Sequence, residues 1–365
     1  MISSCRHASP LSDQEYWSEF SRKIERERVP LSGGIALTHR CNLGCLHCYA
    51  REDAAKPEEH GRELATGQWR KILDEIKAAG CLYLLITGGE PLLRNDFAAI
   101  YEYAKRQGFL VTIFSNGTLV TDNTAELFRK LPPRRLEITL YGASAATYER
   151  ITGVPGTYER CRLGIEKLLA AGVNVALKGV LLTLNEHEFP AMEKIARDYG
   201  VEFRLDAALF PSFAGDRSFL DLRVSPDRAV AREFATPGAL QGAREFLKRF
   251  RASETDRLYP CSAGTTVFHI DPHGTLFPCL MVRRYGCSIL ESGFEQGWSE
   301  AMVSLKDMRL EAGSPCRDCG DKMLCGYCPG FFEIENGTEQ VPSSYLCALG
   351  ELRSAKLNAE YLEKE

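Results

Sequence analysis

The sequence predicts an α/β fold: a partial (β/α)6 barrel of the TIM type, followed by a small cysteine-rich C-terminal domain. Three observations predict it. From residue 31 to about 207, apolar strand-like runs alternate with helical runs, the pattern of repeated βα units around a parallel sheet. Gly80, Gly108, Gly172 and Gly200 each follow a helical run, where a left-handed C-cap is wanted. From Tyr259 onward Cys, Gly and Pro crowd around short elements, the character of a region held by metal rather than by a core.

Taken in order, residues 1–30 read as a polar extension. Ser12 with Glu15 forms a capping box, and Tyr16, Phe20 and Ile24 recur at four-residue spacing, so a helix over about 13–28 is expected, packed across the outside of the main domain. The barrel is expected over 31–235, with strands Gly34–Thr38, Leu82–Thr87, Leu110–Ser115, Arg135–Leu140, Val173–Val180 and Val201–Asp206. Between them lie helices Thr66–Ala79, Asp96–Gln107, Asn123–Lys130, Tyr158–Ala171 and Glu188–Tyr199. The rhythm fades after 207, and helical text resumes from Ser225 to Arg251. Residues 236–365 carry the bridging region and the cysteine-rich domain. In such a fold ligand chemistry belongs at the C-terminal ends of the strands, where both His39–Cys41 and Thr87–Gly89 fall.

Composition narrows the function. Charged residues make up 26%, the signs are mixed and the net charge is −4, so neither nucleic acid nor an anionic surface is an expected partner. The N-terminus lacks the apolar core of a signal peptide, and the most apolar stretch, Leu168 to Leu182, is broken by Asn174 and Lys178. A soluble, cytoplasmic protein outside the membrane is expected. Fourteen cysteines in such a chain point to metal ligands, because the cytosol keeps thiols reduced.

Cys41, Cys45 and Cys48 are separated by three and two residues in CNLGCLHCYA, on the loop after the first strand. Three thiolates hold three irons of a 4Fe–4S cube and leave the fourth open to a small molecule. A Cys3His zinc site using His47 is the bland alternative, disfavoured because closed zinc sites draw ligand pairs from two separated knuckles. One βα unit later comes ITGGEPLL, residues 86–93.

The two motifs together resemble the signatures of the radical S-adenosylmethionine superfamily. The resemblance implies that the open iron is chelated by the amino and carboxylate groups of S-adenosylmethionine. Gly88, Gly89, Glu90 and Pro91 form the second motif, the first three facing the ammonium of the cofactor. Ser115, Asn116 and Thr139 match positions that contact its ribose or carboxylate; as residues, they serve equally as turn formers at strand ends. Reductive cleavage of the cofactor yields a 5′-deoxyadenosyl radical that abstracts hydrogen from substrate, with electrons from an external donor of flavodoxin or ferredoxin type.

Cys261 and Cys279 are followed by Cys316, Cys319, Cys325 and Cys328 at gaps of two, five and two residues, and by Cys347. Seven cysteines exceed one four-coordinate ion, and zinc is the runner-up. This region resembles the SPASM extension, which carries auxiliary 4Fe–4S clusters. By that resemblance Cys261, Cys279 and Cys328 hold one cluster, and Cys316, Cys319, Cys325 and Cys347 the other. Two features depart from the pattern. The last gap is two residues instead of three, and the first set has three obvious ligands, leaving an open iron or a fourth ligand such as Cys287.

Enzymes of this group mostly modify peptides or proteins, so ribosomal-peptide maturation is expected: a crosslink, a decarboxylation or residue excision, with a separate leader-binding protein as a candidate partner. Sulfatase maturation is disfavoured, because Leu280 and Met281 follow Cys279 where those enzymes place an acidic base. Tailoring of a tetrapyrrole or pterin–metal cofactor is the alternative, and a non-catalytic electron carrier a third. Cys81 and Cys161 read as core thiols, and His269, Asp271 and His273 as a turn. Tyr141 is placed beside the radical. Lys178 and Arg204 are read as substrate or carboxylate contacts, or as a buried ion pair.

Overall fold

The computed structural model describes residues 12–50, 61–236, 238–249, 256–301 and 303–362; Cys5 lies outside them. Helix α1 (Asp13–Arg26) starts as expected at Ser12, whose hydroxyl accepts the Glu15 amide while the Glu15 carboxylate accepts the Ser12 amide. It does not pack across the barrel as expected. None of its residues is buried, and Tyr16, Trp17 and Phe20 pack on one another.

The barrel strands are β1 (Ser32–Ala36), β2 (Tyr83–Thr87), β3 (Leu110–Ser115), β4 (Arg135–Thr139), β5 (Val175–Val180) and β6 (Glu202–Asp206). All neighbours in this series pair parallel. The connecting helices are α2 (Thr66–Ala78), α3 (Phe97–Arg106), α4 (Asp122–Lys130), α5 (Ala145–Thr152), α6 (Thr157–Ala170) and α7 (Phe189–Asp198). Every expected strand and helix of this region is present, with ends moved by one or two residues. The exception is α5, which the sequence reading missed because it has only two turns. Ser144 caps its start and left-handed Gly153 stops it. Gly80, Gly108, Gly172 and Gly200 all adopt positive φ after their helices.

One face of each strand carries the core. Leu84, Ile86, Val111, Ile113, Leu136, Ile138, Val175 and Leu177 are buried beneath the helices. The alternate residues Leu85, Thr112, Phe114, Glu137 and Lys178 are only half-buried, because they line the concave inside of the barrel. This explains why the strands do not read as unbroken apolar runs.

The C-terminal part adds α8 (Pro226–Phe234), α9 (Ala239–Arg249), β7 (Val267–Ile270), β8 (Thr275–Phe277) and β9 (Cys287–Ser288). It continues with α10 (Ile289–Ala301), α11 (Val303–Asp307), α12 (Pro329–Asn336) and α13 (Ser344–Leu362). Its strands extend the same sheet, whose order is β6-β5-β4-β3-β2-β1-β7-β8-β9. β7 runs parallel to β1, and β8 and β9 turn back as an antiparallel edge. The seam is made by glycines: a Cβ at Gly33 would lie 2.1 Å from the Phe268 ring, and one at Gly34 2.9 Å from His269 Nδ1. The core also crosses the seam through Phe268, Leu276, Phe294, Trp298 and Leu349. The cysteine-rich region is therefore held by apolar packing as well, contrary to the sequence expectation. No described helix is long and apolar enough to cross a membrane.

Gly33→Ala should overpack this seam and lower stability by about 1–3 kcal/mol, read as a reduced urea midpoint at unchanged slope.

Candidate active site

The two motifs meet at the C-terminal ends of β1 and β2. The chain leaving β1 crosses the chain leaving β2 so closely that the Gly89 amide donates to the Thr38 carbonyl at 2.7 Å and the Glu90 amide to the Arg40 carbonyl at 2.9 Å. A Cβ on Gly88 would lie 2.4 Å from the Thr38 oxygen, and one on Gly89 2.3 Å from the Arg40 oxygen. Gly88 also has φ of 148°, which L side chains disfavour. Only a Gly–Gly pair lets the two loops lie against each other.

Beyond the crossing, the cysteine loop is tied to the end of α5. The Gly44 amide donates to the Thr152 carbonyl at 2.8 Å and the Leu46 amide to the Ile151 carbonyl at 3.0 Å. The Cys45 thiol is buried; Cys41 and Cys48 are partly so, and none of the described cysteines forms a disulfide. Burial, with the neighbouring thiols adding to it, pushes Cys41 up to about 11 and Cys45 up to about 12. Against this, Cys41 Sγ accepts the Leu43 amide at 3.4 Å and faces the Asn116 side-chain amide at 3.8 Å.

Glu90 is fully buried and organises the strand ends. Its carboxylate accepts the Leu92 amide at 3.1 Å, the Ser115 hydroxyl at 2.9 Å and the Asn116 amide at 2.7 Å. Burial still lifts it to about 7, against the lowering by these bonds. Pro91 opens a single 3₁₀ turn that Glu90 caps. Asn116 in turn bonds Asn42 and Thr118. The structure therefore joins Cys41, Glu90, Ser115 and Asn116 in one network. Glu90 and Ser115 are turned into it, so they serve as frame rather than open contacts. Thr139, at the end of β4, stands outside the network and has no polar side-chain partner among the described residues.

Two residues that the sequence reading missed complete the frame. Buried Arg94 donates to the Leu37 and Leu64 carbonyls at 2.9 Å each and pairs with Asp96 at 2.8 Å. Glu63, almost fully buried, pairs with Arg40 at 2.9 Å and accepts the Thr38 hydroxyl. The one available signal was an arginine immediately after the apolar ITGGEPLL.

The donor set fits a multi-iron cluster better than one zinc ion. Among the described residues no three His, Cys, Asp or Glu converge tightly enough for a single metal ion. Thiolates of a four-iron cube bind different irons and need not converge. His47 packs on Tyr141 at 5.4 Å, and burial holds it neutral, down to about 4. Tyr141 stands directly beside the Cys45 thiol.

The distal cysteines fall into two sets. Cys279 is pushed up to about 12 by burial, with Cys328 and Cys261 as the neighbouring thiols. Cys325 is pushed up likewise to about 12, and its neighbours are Cys347, Cys319 and Cys316. Cys287 joins neither: its thiol faces the Gly297 carbonyl at 3.9 Å, across β9 and α10. Gly350 lets α13 approach Cys325, where a Cβ would sit 2.7 Å from the cysteine's own. Tyr49 stacks on Phe210 at 5.6 Å and Phe210 meets Phe331 edge-on at 5.7 Å, linking the first cysteine loop to the segment after Cys328.

Cys81 and Cys161 are core thiols. Asp271 accepts the His273 and Thr275 amides at 2.9 Å, so this segment is a turn as expected. Glu90→Ala should strand three donors and cost about 2–4 kcal/mol, visible as a lower urea midpoint; Ser115→Ala, which removes one, should cost about 1 kcal/mol.

The pattern described as the Radical SAM superfamily matches residues 35–196. An AdoMet-dependent heme synthase of Methanosarcina barkeri is 27% identical over 315 residues, covering 80% of this chain and 89% of the relative. The mycofactocin maturase MftC of Mycolicibacterium smegmatis is 26% identical over 332 residues, covering 84% and 79%. The crystal structure of Streptococcus suis SuiB bound to precursor peptide SuiA superposes with a TM-score of 0.70 at 17% identity, over 95% of this chain and 84% of SuiB. The superfamily binds a 4Fe–4S cluster and S-adenosylmethionine, and its members are enzymes. Residues 35–196, which hold the three-cysteine loop and the Gly–Gly–Glu frame, form a radical SAM domain.

Proposed function

We propose that this protein is a radical S-adenosylmethionine peptide maturase of the cytoplasm. The observation that carries the reading is the backbone crossing of Thr38–Arg40 with Gly88–Glu90, which sets the cysteine loop against the second motif at the strand ends. When bound, the cluster and S-adenosylmethionine supply a 5′-deoxyadenosyl radical that removes a hydrogen atom from substrate. Cys41, Cys45 and Cys48 would each hold one iron. The Asn116 amide at Cys41 would fix that ligand's orientation and stabilise its thiolate. Gly88 and Gly89 let the Thr38–Arg40 backbone lie where their side chains would stand, and Glu90 ties this contact to the Asn116 amide. The buried walls exclude water from the reacting centre.

Cys261, Cys279 and Cys328 are proposed ligands of one auxiliary 4Fe–4S cluster, and Cys316, Cys319, Cys325 and Cys347 of a second. The first set has three cysteines, and the Cys287 thiol faces the Gly297 carbonyl, which supports an open iron there. The peptide reading draws on the likeness to MftC over most of both chains; SuiB supports the fold. An external flavodoxin- or ferredoxin-type donor and a separate leader-binding protein are proposed partners. The likeness to a heme synthase favours tailoring of a small cofactor as the second reading.

Anaerobic reconstitution with dithionite and S-adenosylmethionine should release 5′-deoxyadenosine, and Cys41→Ala should abolish it; equal release from the variant overturns the radical assignment. Iron analysis should give about twelve per chain, falling to about eight in Cys319→Ala, whereas about four in the unaltered protein removes the auxiliary clusters. Mass spectrometry of short peptides encoded nearby, after co-expression, separates the two substrate readings.

A further inference from the structure

The loop that leaves β3 reads Asn116-Gly117-Thr118 and folds back on itself. Gly117 has φ of 76°, a conformation open to glycine, and it returns Thr118 over the Asn116 side chain. The Thr118 amide donates to Asn116 Oδ1 at 2.9 Å, the local turn that asparagine favours. This one bond decides which way the Asn116 amide faces. A backbone N–H can only donate, so the atom it meets is the carbonyl oxygen, and the NH2 group is turned to the other side.

On that other side lies the first cysteine loop. Asn116 Nδ2 donates to Asn42 Oδ1 at 2.9 Å and faces Cys41 Sγ at 3.8 Å. Asn42 Nδ2 donates to the Thr118 hydroxyl at 2.8 Å, and that hydroxyl donates to Asn116 Oδ1 at 2.7 Å. The side chains of Asn42, Thr118 and Asn116 therefore close a ring of hydrogen bonds. One N–H of Asn116 is used inside the ring, and its second is left for the cysteine sulfur. Asn116 and Thr118 are buried, which strengthens these bonds.

A tie between the loop and β3 needs only the bond from Asn116 to Asn42. The Thr118 hydroxyl adds nothing to that tie; among the described residues it bonds only these two side chains, and so fixes the amide that faces the sulfur. Cys41 Sγ also accepts the Leu43 amide of its own loop at 3.4 Å. N–H groups aimed at a ligand sulfur favour the more negative, reduced form of an iron–sulfur cluster and raise its potential.

We propose that Thr118 is a positioning residue for the Cys41 ligand: through the ring it shares with Asn42, it holds Asn116 so that the second N–H donates to the iron-bound sulfur and raises the reduction potential there. The inference rests on Cys41 as an iron ligand. Thr118 touches neither iron nor substrate and acts through Asn116.

The test is a redox titration of the reconstituted holoenzyme with dithionite, followed by electron paramagnetic resonance. The signal absent from Cys41→Ala belongs to the first cluster. Asn116→Ala should lower its midpoint, so that the reduced-to-oxidised ratio at a fixed potential falls about tenfold, or about 59 mV for a one-electron couple. Thr118→Val should shift it the same way by less, because the backbone amide at 118 still holds the Asn116 oxygen. Thr118→Ser keeps the hydroxyl and should keep the midpoint. The double variant Asn116→Ala/Thr118→Val should fall no further than Asn116→Ala, since both act on one contact. An unchanged midpoint in Asn116→Ala overturns the contact with sulfur. An unchanged midpoint in Thr118→Val, or additive shifts in the double variant, overturns the positioning role even where stability falls. If the variants take up no iron, the unaltered holoenzyme decides. With heavy nitrogen in the asparagine side-chain amides, pulsed resonance should detect that nitrogen coupled to the reduced cluster, and no coupling overturns the proposal. A full signal in Cys41→Ala removes the ligand reading itself, whereas an unchanged midpoint removes only the ring.

Discussion

Two short backbone hydrogen bonds, Gly89 to Thr38 and Glu90 to Arg40, hold the site together. They require two strands to end side by side and their loops to touch without intervening Cβ atoms. Everything else at the rim serves that contact. Arg94 clamps the carbonyl of Leu37 just before the crossing, Glu63 holds Thr38 and Arg40 on its flank, and Glu90 ties the far side to β3 through Ser115 and Asn116. Asn116 then reaches Cys41, so a single connected set of bonds runs from the second motif to a proposed iron ligand.

Burial acts on this site in two opposed ways. It strengthens each hydrogen bond in the frame by removing competing water. It also disfavours every thiolate, and Cys41, Cys45, Cys279 and Cys325 are all pushed to about 11 or 12. Iron binding must therefore drive deprotonation, which couples cluster insertion tightly to release of protons. The Leu43 amide and the Asn116 side chain at Cys41 lower that cost locally.

The C-terminal region is joined to the barrel twice over. β7 continues the sheet beyond β1, across glycines whose missing side chains admit Phe268 and His269. The chain of ring contacts, Tyr49 stacked on Phe210 and Phe210 edge-on to Phe331, then connects the first cysteine loop to the segment holding Cys328. Relative movement of the two cysteine regions would break both the sheet and the stack, so their separation is set by the core.

Local pattern alone determined a good deal. The βα rhythm, the glycine C-caps and the capping box at Ser12 depend on neighbours a few residues apart, so they were legible without a structure, as were the cysteine spacings. Short α5 was lost because two turns carry too little periodicity to register. The failure of α1 to bury a face, the shared core of the C-terminal region and the place of Cys287 were equally invisible, because each depends on contacts between distant segments. Thr139 and Ser115 looked alike in sequence, both polar residues at a strand end. Only the tertiary structure turned one into the Glu90 network and left the other out of it. The same holds for Lys178: its residue type and strand were plain, but its pairing with Glu137 of β4, which Arg204 of β6 also reaches, depends on the register of three strands.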